Sequence, residues 1–261
     1  MFDPFEDFQT AGYLRNVEAL KDLDKVKVQE HVFFEANLED ALTFLRKVKG
    51  PIAYQHFLNV HRILFEDFYP WAGQDRHALG VGRFVGKGPR VSHFEDSARC
   101  RQAVEWGLRL GNDVKKMREQ PGTVIGAFAW GHPFLDGNGR AMLLVRAELC
   151  HRAGFAIDWR ATQKTPYLEA LTLELAEPQG KHLDRYMLPL VFPALTAVNL
   201  LEQLNALPGL DGLDDAADQN IAYQEDDQRA ISSYLEMKRA RGEPVDDKLV
   251  NPQGATGRPN P

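Results

Sequence analysis

Two apolar runs, residues 124–130 and 141–150, are held apart by a short polar stretch, and this arrangement limits the fold more than any other feature of the chain. The first run, Val-Ile-Gly-Ala-Phe-Ala-Trp, is apolar on all sides, as expected of a helix buried in a core. The second contains neither Gly nor Pro and reads as another buried helix. Between them lies His132-Pro133-Phe134-Leu135-Asp136-Gly137-Asn138-Gly139-Arg140. His132 is an imidazole base. Asp136 is a hard oxygen ligand suited to Mg²⁺. Gly137 and Gly139 let backbone N–H groups come close to an anion. Asn138 adds a side-chain donor, and Arg140 offers a planar fork for phosphate. A glycine turn running into a helix N-terminus is an anion-binding arrangement. Asp-Gly and Asn-Gly are ordinary turn dipeptides, but a plain turn needs no His, Phe and Arg at fixed offsets around it.

The rest of the chain fits one large globular domain with appendages. It has 261 residues, 44% hydrophobic and 26% charged, enough to bury a sizeable core. A net charge of −6 argues against broad electrostatic binding to nucleic acid or an anionic membrane. No strongly basic domain or helix-turn-helix-like segment is present. No apolar run reaches membrane-spanning length, and residues 1–7 lack a signal-peptide pattern, so a cytoplasmic location is expected, with delivery by a specialised secretion system left open. Cys100 and Cys150 sit in apolar surroundings and read as buried free thiols.

In chain order, residues 1–36 read as a leader with one or two short helices, either packed on the core or attached as a loose arm. Asn37 reads as the N-cap of a first core helix that ends at Gly50-Pro51, and a second helix is expected over 52–68. Residues 77–93 are rich in Gly and Val, with Gly88-Pro89 suggesting a short hairpin. Helices follow over 95–110, 114–119 and 123–130. Residues 183–204 read as a long apolar helix with a kink or break at Pro189 and Pro193. Residues 207–222 have the composition of a linker, Glu225 to Arg241 that of a charged helix, and 251–261 that of a disordered tail. The division expected is 1–36 leader, 37–206 main domain, and 207–261 linker, charged helix and tail.

The stretch 132–140 resembles the signature of the Fic family, H-x-F-x-[DE]-G-N-G-R-x-x-R, at every fixed position through Arg140. A second segment, Tyr69-x-Trp71-Ala72-Gly73-x-x-Arg76, resembles one found upstream in the same family, and the likeness extends over roughly residues 10–205. It implies an all-α fold, a Fic-type helical bundle with a short β-hairpin flap over the active site. It also implies a protein adenylyltransferase that moves AMP from ATP to a Ser, Thr or Tyr hydroxyl of a target protein. In that reading His132 is the base and Asp136 holds Mg²⁺. Gly137, Asn138, Gly139 and Arg140 bind the nucleotide phosphates, and Phe134 anchors the loop. Lys87, Gly88, Arg90 and Val91 form the flap that holds the target by strand addition. Trp159 and Tyr167 fall where the family shapes its nucleotide-base pocket, though ordinary packing explains them equally well.

One motif position departs. The second arginine is Leu143 here, and no [ST]-x-x-x-E-[GN] segment supplies its usual inhibitory glutamate. The nearest, Ser232-Ser233-Tyr234-Leu235-Glu236-Met237, ends in Met and reads as a solvated surface helix. Self-inhibition by that route is therefore not expected, which leaves restraint by a separate antitoxin-like protein among the alternatives. Leu143 also keeps other donors, UTP or CDP-choline, open beside ATP, together with a catalytically silent module that only binds nucleotide or partner.

Overall fold

Pro121 and Gly122 start the helix around which the other elements are arranged. In the computed structural model every residue of α6 (Pro121–Gly131) is buried. Proline suits this first turn because its missing N–H would have had no intrahelical acceptor. The orphan amides of Gly122 and Thr123 donate instead to Asp184 Oδ1, at 2.6 and 3.0 Å, and the Thr123 hydroxyl donates to Asp184 Oδ2. Asp184 belongs to α9 (His182–Met187), so one carboxylate caps α6 and fastens a distant segment to it. Gly122 permits the approach: a Cβ there would stand 2.2 Å from the Asp184 amide nitrogen.

The structure describes residue 5 and residues 14–87, 92–194, 197–205, 220–223, 225–245 and 249. These are mostly helical. Besides α6 and α9 they form α1 (Leu23–Lys47), α2 (Tyr54–Phe65), the short α3 (Arg76–Leu79), α4 (Ser97–Gly111), α5 (Val114–Glu119), α7 (Asn138–Arg152), α8 (Lys164–Ala176), α10 (Ala197–Asn205) and α11 (Gln228–Ala240). Helix α4 packs along α6, α1 along α2, and α7 fits between α2 and α6. Their shared core includes Phe34, Leu38, Phe57, Leu64, Val104, Phe128 and Leu144. Cys100 and Cys150 are buried free thiols. No described helix is long and apolar enough to cross a membrane.

Two small sheets complete the fold. Strand β1 (Phe84–Lys87) pairs antiparallel with β2 (Ser92–His93), the hairpin expected from the glycine-rich stretch. On its other side β1 pairs antiparallel with β5 (Asn220–Tyr223), from Phe84 opposite Tyr223 to Lys87 opposite Asn220. The hairpin is thus part of a three-stranded sheet, ordered β2-β1-β5. The second sheet joins β3 (Phe155–Ile157) to β4 (Val191–Pro193).

Four expectations need correction. Asn37 is not an N-cap. Helix α1 begins at Leu23, capped by Asp22, and runs through Asn37, whose amide donates to the Leu64 carbonyl. Its buried stripe of Val26, Phe34, Leu38, Ala41, Leu42 and Leu45 is continuous across that point, so packing overrides the local capping signal. The expected division at 36/37 therefore falls inside one helix. Of the kink or break allowed by the prolines of 183–204, the chain takes the break: Pro189 lies in a 3-10 turn and Pro193 in the β4 edge strand. Residues 220–222, taken for linker, belong to β5; 206–219 lie outside the described residues, as do 251–261 and most of the first thirteen. Helix α11 is not a solvated surface element, since Ala230, Tyr234, Leu235 and Lys238 are buried against the core, although Glu236 is exposed.

Substituting Gly122→Ala is expected to destabilise the protein by more than ~2 kcal/mol, because the methyl meets backbone that cannot yield. Urea denaturation measures this, and a loss below ~0.5 kcal/mol would mean that the α6–α9 junction relaxes freely.

Candidate active site

The chemistry-bearing loop is fixed from below by a guanidinium. Arg76 is fully buried and donates only to backbone carbonyls: His132 at 2.8 Å, Gly82 at 2.6 Å, Arg83 at 3.1 Å, Glu95 at 2.8 Å and Gly131 at 3.4 Å. Its own amide donates to the Pro133 carbonyl. One side chain so ties the end of α6, the approach to β1 and the turn before α4. Arg76 is held in turn by α3, whose N-cap Asp75 accepts from the Ala78 amide and from the Tyr54 hydroxyl.

His132 ends α6 in the left-handed region, at φ 40° and ψ 59°, a conformation that costs a non-glycine residue on the order of 1–2 kcal/mol. Its amide remains bonded to the Phe128 carbonyl, and its ring lies flat on Phe94, with centroids 3.7 Å apart and planes 7° apart. The backbone thus turns sharply out of the helix while the imidazole is clamped in one plane.

Past His132 the loop is closed by side chains that satisfy its backbone. Asn138 accepts from the Phe134 amide at 2.9 Å and donates to the Phe134 carbonyl at 2.8 Å. The side-chain donor expected to face a ligand is therefore spent on the loop itself. The Phe134 ring, fully buried, stacks on His61 at 3.8 Å and on Phe57 at 5.9 Å. His61 spans two segments: its Nδ1 accepts from the Gly73 amide, so its Nε2 carries the proton and donates to the Asp136 carbonyl. Burial lowers its pKa from 6.5 to about 3, so the ring stays neutral. Gly137 then enters α7 at φ 72°, and a Cβ there would lie 2.6 Å from the Phe65 ring.

The mouth of α7 is suited to an anion. No side chain caps its first turn, and that turn contains no acid. Nothing lies within 4 Å of where a Cβ on Gly139 would stand. Asp136 is half-buried; its Oδ1 accepts from the Gly137 amide at 2.8 Å, which leaves its other oxygen for a cation. No group of three or more His, Cys, Asp or Glu among the described residues could hold a metal unaided. One carboxylate beside a phosphate-binding helix end is nevertheless how Mg²⁺ is commonly held, with the substrate's phosphates supplying further oxygens. Arg140 pairs through Nη1 with Glu30 at 2.6 Å, while its buried Nε meets no acceptor among the described residues. Glu30, on α1, is buried; burial pushes its carboxyl up to about 7 despite the opposing pull of Arg140.

The β2-β1-β5 sheet flanks the loop, since Phe94, next after β2, stacks on His132. Lys87 ends β1 and is exposed, whereas Gly88, Arg90 and Val91 lie outside the described residues. Behind the sheet Glu95 is buried and accepts from Trp130 Nε1, Lys238 Nζ and the Tyr234 hydroxyl. Helix α11 is thereby docked one residue from Phe94, the ring beneath His132.

Three partners were not read from the sequence: Glu30, His61 and Glu95. For two of them a signal existed. Glu30 continues the four-residue spacing of Val26, Phe34 and Leu38, and His61 lies on the apolar face that Phe57, Val60 and Leu64 define. A polar residue placed within an apolar stripe marks a buried hydrogen-bonding role. Glu95 precedes a helix among other polar residues and carries no such mark.

A glycine loop that carries an imidazole, a carboxylate and a guanidinium between two core helices, beside a small β-sheet, is an arrangement suited to phosphate. Residues 51–150 match the Fic/DOC family. Protein adenylyltransferase VbhT of Bartonella schoenbuchensis is 28% identical over 165 residues, which cover 62% of this chain and 34% of VbhT. This chain thus matches only about a third of that longer relative. The probable protein adenylyltransferase Fic of Escherichia coli K12 is 27% identical over 161 residues, covering 57% of this chain and 78% of the relative. Among solved structures, the BepC protein of Bartonella tribocorum, a VirB-translocated effector crystallised with bound AMPPNP, aligns with a TM-score of 0.53 at 17% identity. That alignment covers 71% of this chain and 95% of that one. It establishes a shared fold.

The His61 shift sets a pH dependence. The unfolded ring takes up a proton below about 6.5 and the folded ring does not until about 3. The stability from this residue is intact above 6.5 and is lost as pH falls through that window, by ~1.4 kcal/mol per pH unit. His61→Gln should remove this part of the slope in urea denaturation; parallel curves for the two proteins would rule it out.

Proposed function

We propose that this chain is a Fic-type protein adenylyltransferase, which moves AMP from ATP to a Ser, Thr or Tyr hydroxyl of a target protein and releases pyrophosphate. The observation that carries the reading is the convergence of His132, Asp136, the open first turn of α7 and Arg140 on one rigid loop. The names of the relatives agree with it.

In this reaction the target hydroxyl oxygen attacks the α-phosphorus, its proton passes to the His132 imidazole, and the bond from the α-phosphorus to the bridging oxygen breaks. Stacking on Phe94 holds the imidazole ready for this transfer without a search through rotamers. The first-turn amides around Gly139 receive phosphate oxygens, aided by the helix dipole. The Gly137 amide, bonded to Asp136, serves to orient that carboxylate. Asp136 would hold Mg²⁺, which offsets phosphate charge when bound. Arg140 offers its remaining donors to the departing pyrophosphate, with Glu30 holding the guanidinium in register. Phe134 serves by packing alone.

The target is held as an extended segment at the flap formed around Lys87, Gly88, Arg90 and Val91. Strand β1 is paired on both sides, so among the described strands addition falls to the outer edge of β2 or of β5. Strand addition reads main chain and so tolerates varied target sequences. The completeness of the loop argues against a silent binding module. Leu143 leaves the donor to be tested directly, with UTP and CDP-choline as alternatives to ATP.

Incubation with each nucleotide and Mg²⁺ followed by intact-mass spectrometry should give an AMP adduct on the chain or on a target, with ATP alone as effective donor. His132→Ala should slow labelling by at least about 100-fold. Labelling by His132→Ala at the wild-type rate would remove His132 as the base, and an adduct from another nucleotide would reassign the donor.

A further inference from the structure

Helix α7 carries a second guanidinium, bonded to the Tyr167 side chain yet left with one donor unsatisfied. Arg146 is 4% exposed, and its Nη2 is buried with no hydrogen-bond acceptor among the described residues. Its guanidinium carbon lies 3.8 Å over the Trp159 ring. Tyr167 meets Trp159 edge-on, with ring centroids 6.1 Å apart. A cation taken out of water without an acceptor for every donor is costly, and a methionine would fill the same space without that cost. The cost makes sense if the missing acceptor comes with a ligand.

Helical geometry indicates which ligand. At about 3.6 residues per turn, Arg146 lies two turns below Gly139 on one face, with Leu143 between them. Side chains on a helix lean toward its N-terminus, so the Arg146 guanidinium reaches back toward Leu143 and the loop. The axial offset from Leu143 is only ~4.5 Å, less than the length of an arginine side chain. The face above is open at Gly139, and Leu143 brings no charge to compete.

We propose that Arg146, steadied on Trp159, binds the terminal phosphate of the nucleoside triphosphate donor and supplies from one turn down the positive charge absent at Leu143. The proposal rests on the nucleotide-donor reading above. Stacking fixes the guanidinium plane and leaves its edge for the phosphate, an arrangement arginine favours over lysine. Trp159 and Tyr167 then serve as the platform for a phosphate-binding cation.

Titration calorimetry of the full chain with ATP and with AMP, in Mg²⁺, tests this. Arg146→Met should weaken ATP binding at least about tenfold and change AMP binding less than about twofold. Adding Leu143→Arg to Arg146→Met should restore most of the ATP affinity. Equal losses for ATP and AMP, or no loss for ATP, would overturn the role of Arg146 while leaving the donor reading standing. A wild-type chain that binds neither nucleotide would overturn the donor reading, and this one with it. Should Arg146→Met fail to fold, Leu143→Arg alone decides. With the phosphate already met by Arg146, the added arginine should change ATP affinity less than about threefold, and a gain of about tenfold or more would overturn the proposal.

Discussion

The fold's functional end depends on a positive charge that has no carboxylate touching it. Arg76 is surrounded by carbonyl oxygens from three separate stretches of chain, and each stretch gains a fixed position by donating its dipole to the same guanidinium. A planar fork with five donors can do this; a lysine, with its donors on one atom, could not reach the same set. Asp75 and Asp96 lie close enough to favour the charge, offsetting part of a burial that by itself works against it. The flap, the loop and the start of α4 are therefore parts of one assembly.

On that base the loop is arranged by a sequence of local compensations. His132 accepts an unfavourable backbone conformation, Asn138 closes the bend by bonding both polar groups of Phe134, and His61 joins Gly73 to Asp136. The Phe134 backbone, the Gly73 amide and the Asp136 carbonyl all find partners, so the strain at His132 is borne by a bonded surround. What remains unspent is the set a polyphosphate can use: the open helix end, one carboxylate oxygen and the spare donors of Arg140.

The helices and the loop were legible from the sequence because their signals are local. Asp96 before α4, Asp113 before α5 and Pro121 at the head of α6 are start signals that tertiary structure left intact. The loop residues are contiguous, so their gathering needed no long-range inference. Where reading failed, a distant contact had decided the outcome. Asn37 has capping chemistry, but the stripe from Val26 to Leu45 kept the helix going. The segment around Pro193 is apolar enough for a helix, yet pairing with β3 offered its backbone another set of partners. Helix α11 carries charges on most of its surface, and only its meeting with Glu95 and Trp130 shows which of them lie inside. No periodicity in residues 225–241 could name a partner some 140 positions earlier.

The Glu95 cluster bears on where this domain can be cut. Its carboxylate sits against the indole of Trp130, neutralised by the ammonium of Lys238. A fragment ending near residue 206 would keep the acid and lose the base, leaving a bare negative charge in an apolar wall at a cost of order 3–5 kcal/mol. The defect would fall beside the ring on which the His132 imidazole rests. The smallest unit that keeps its charge balance therefore extends through Glu243, which shares the Lys238 ammonium, and α11 is an integral wall of the domain behind His132.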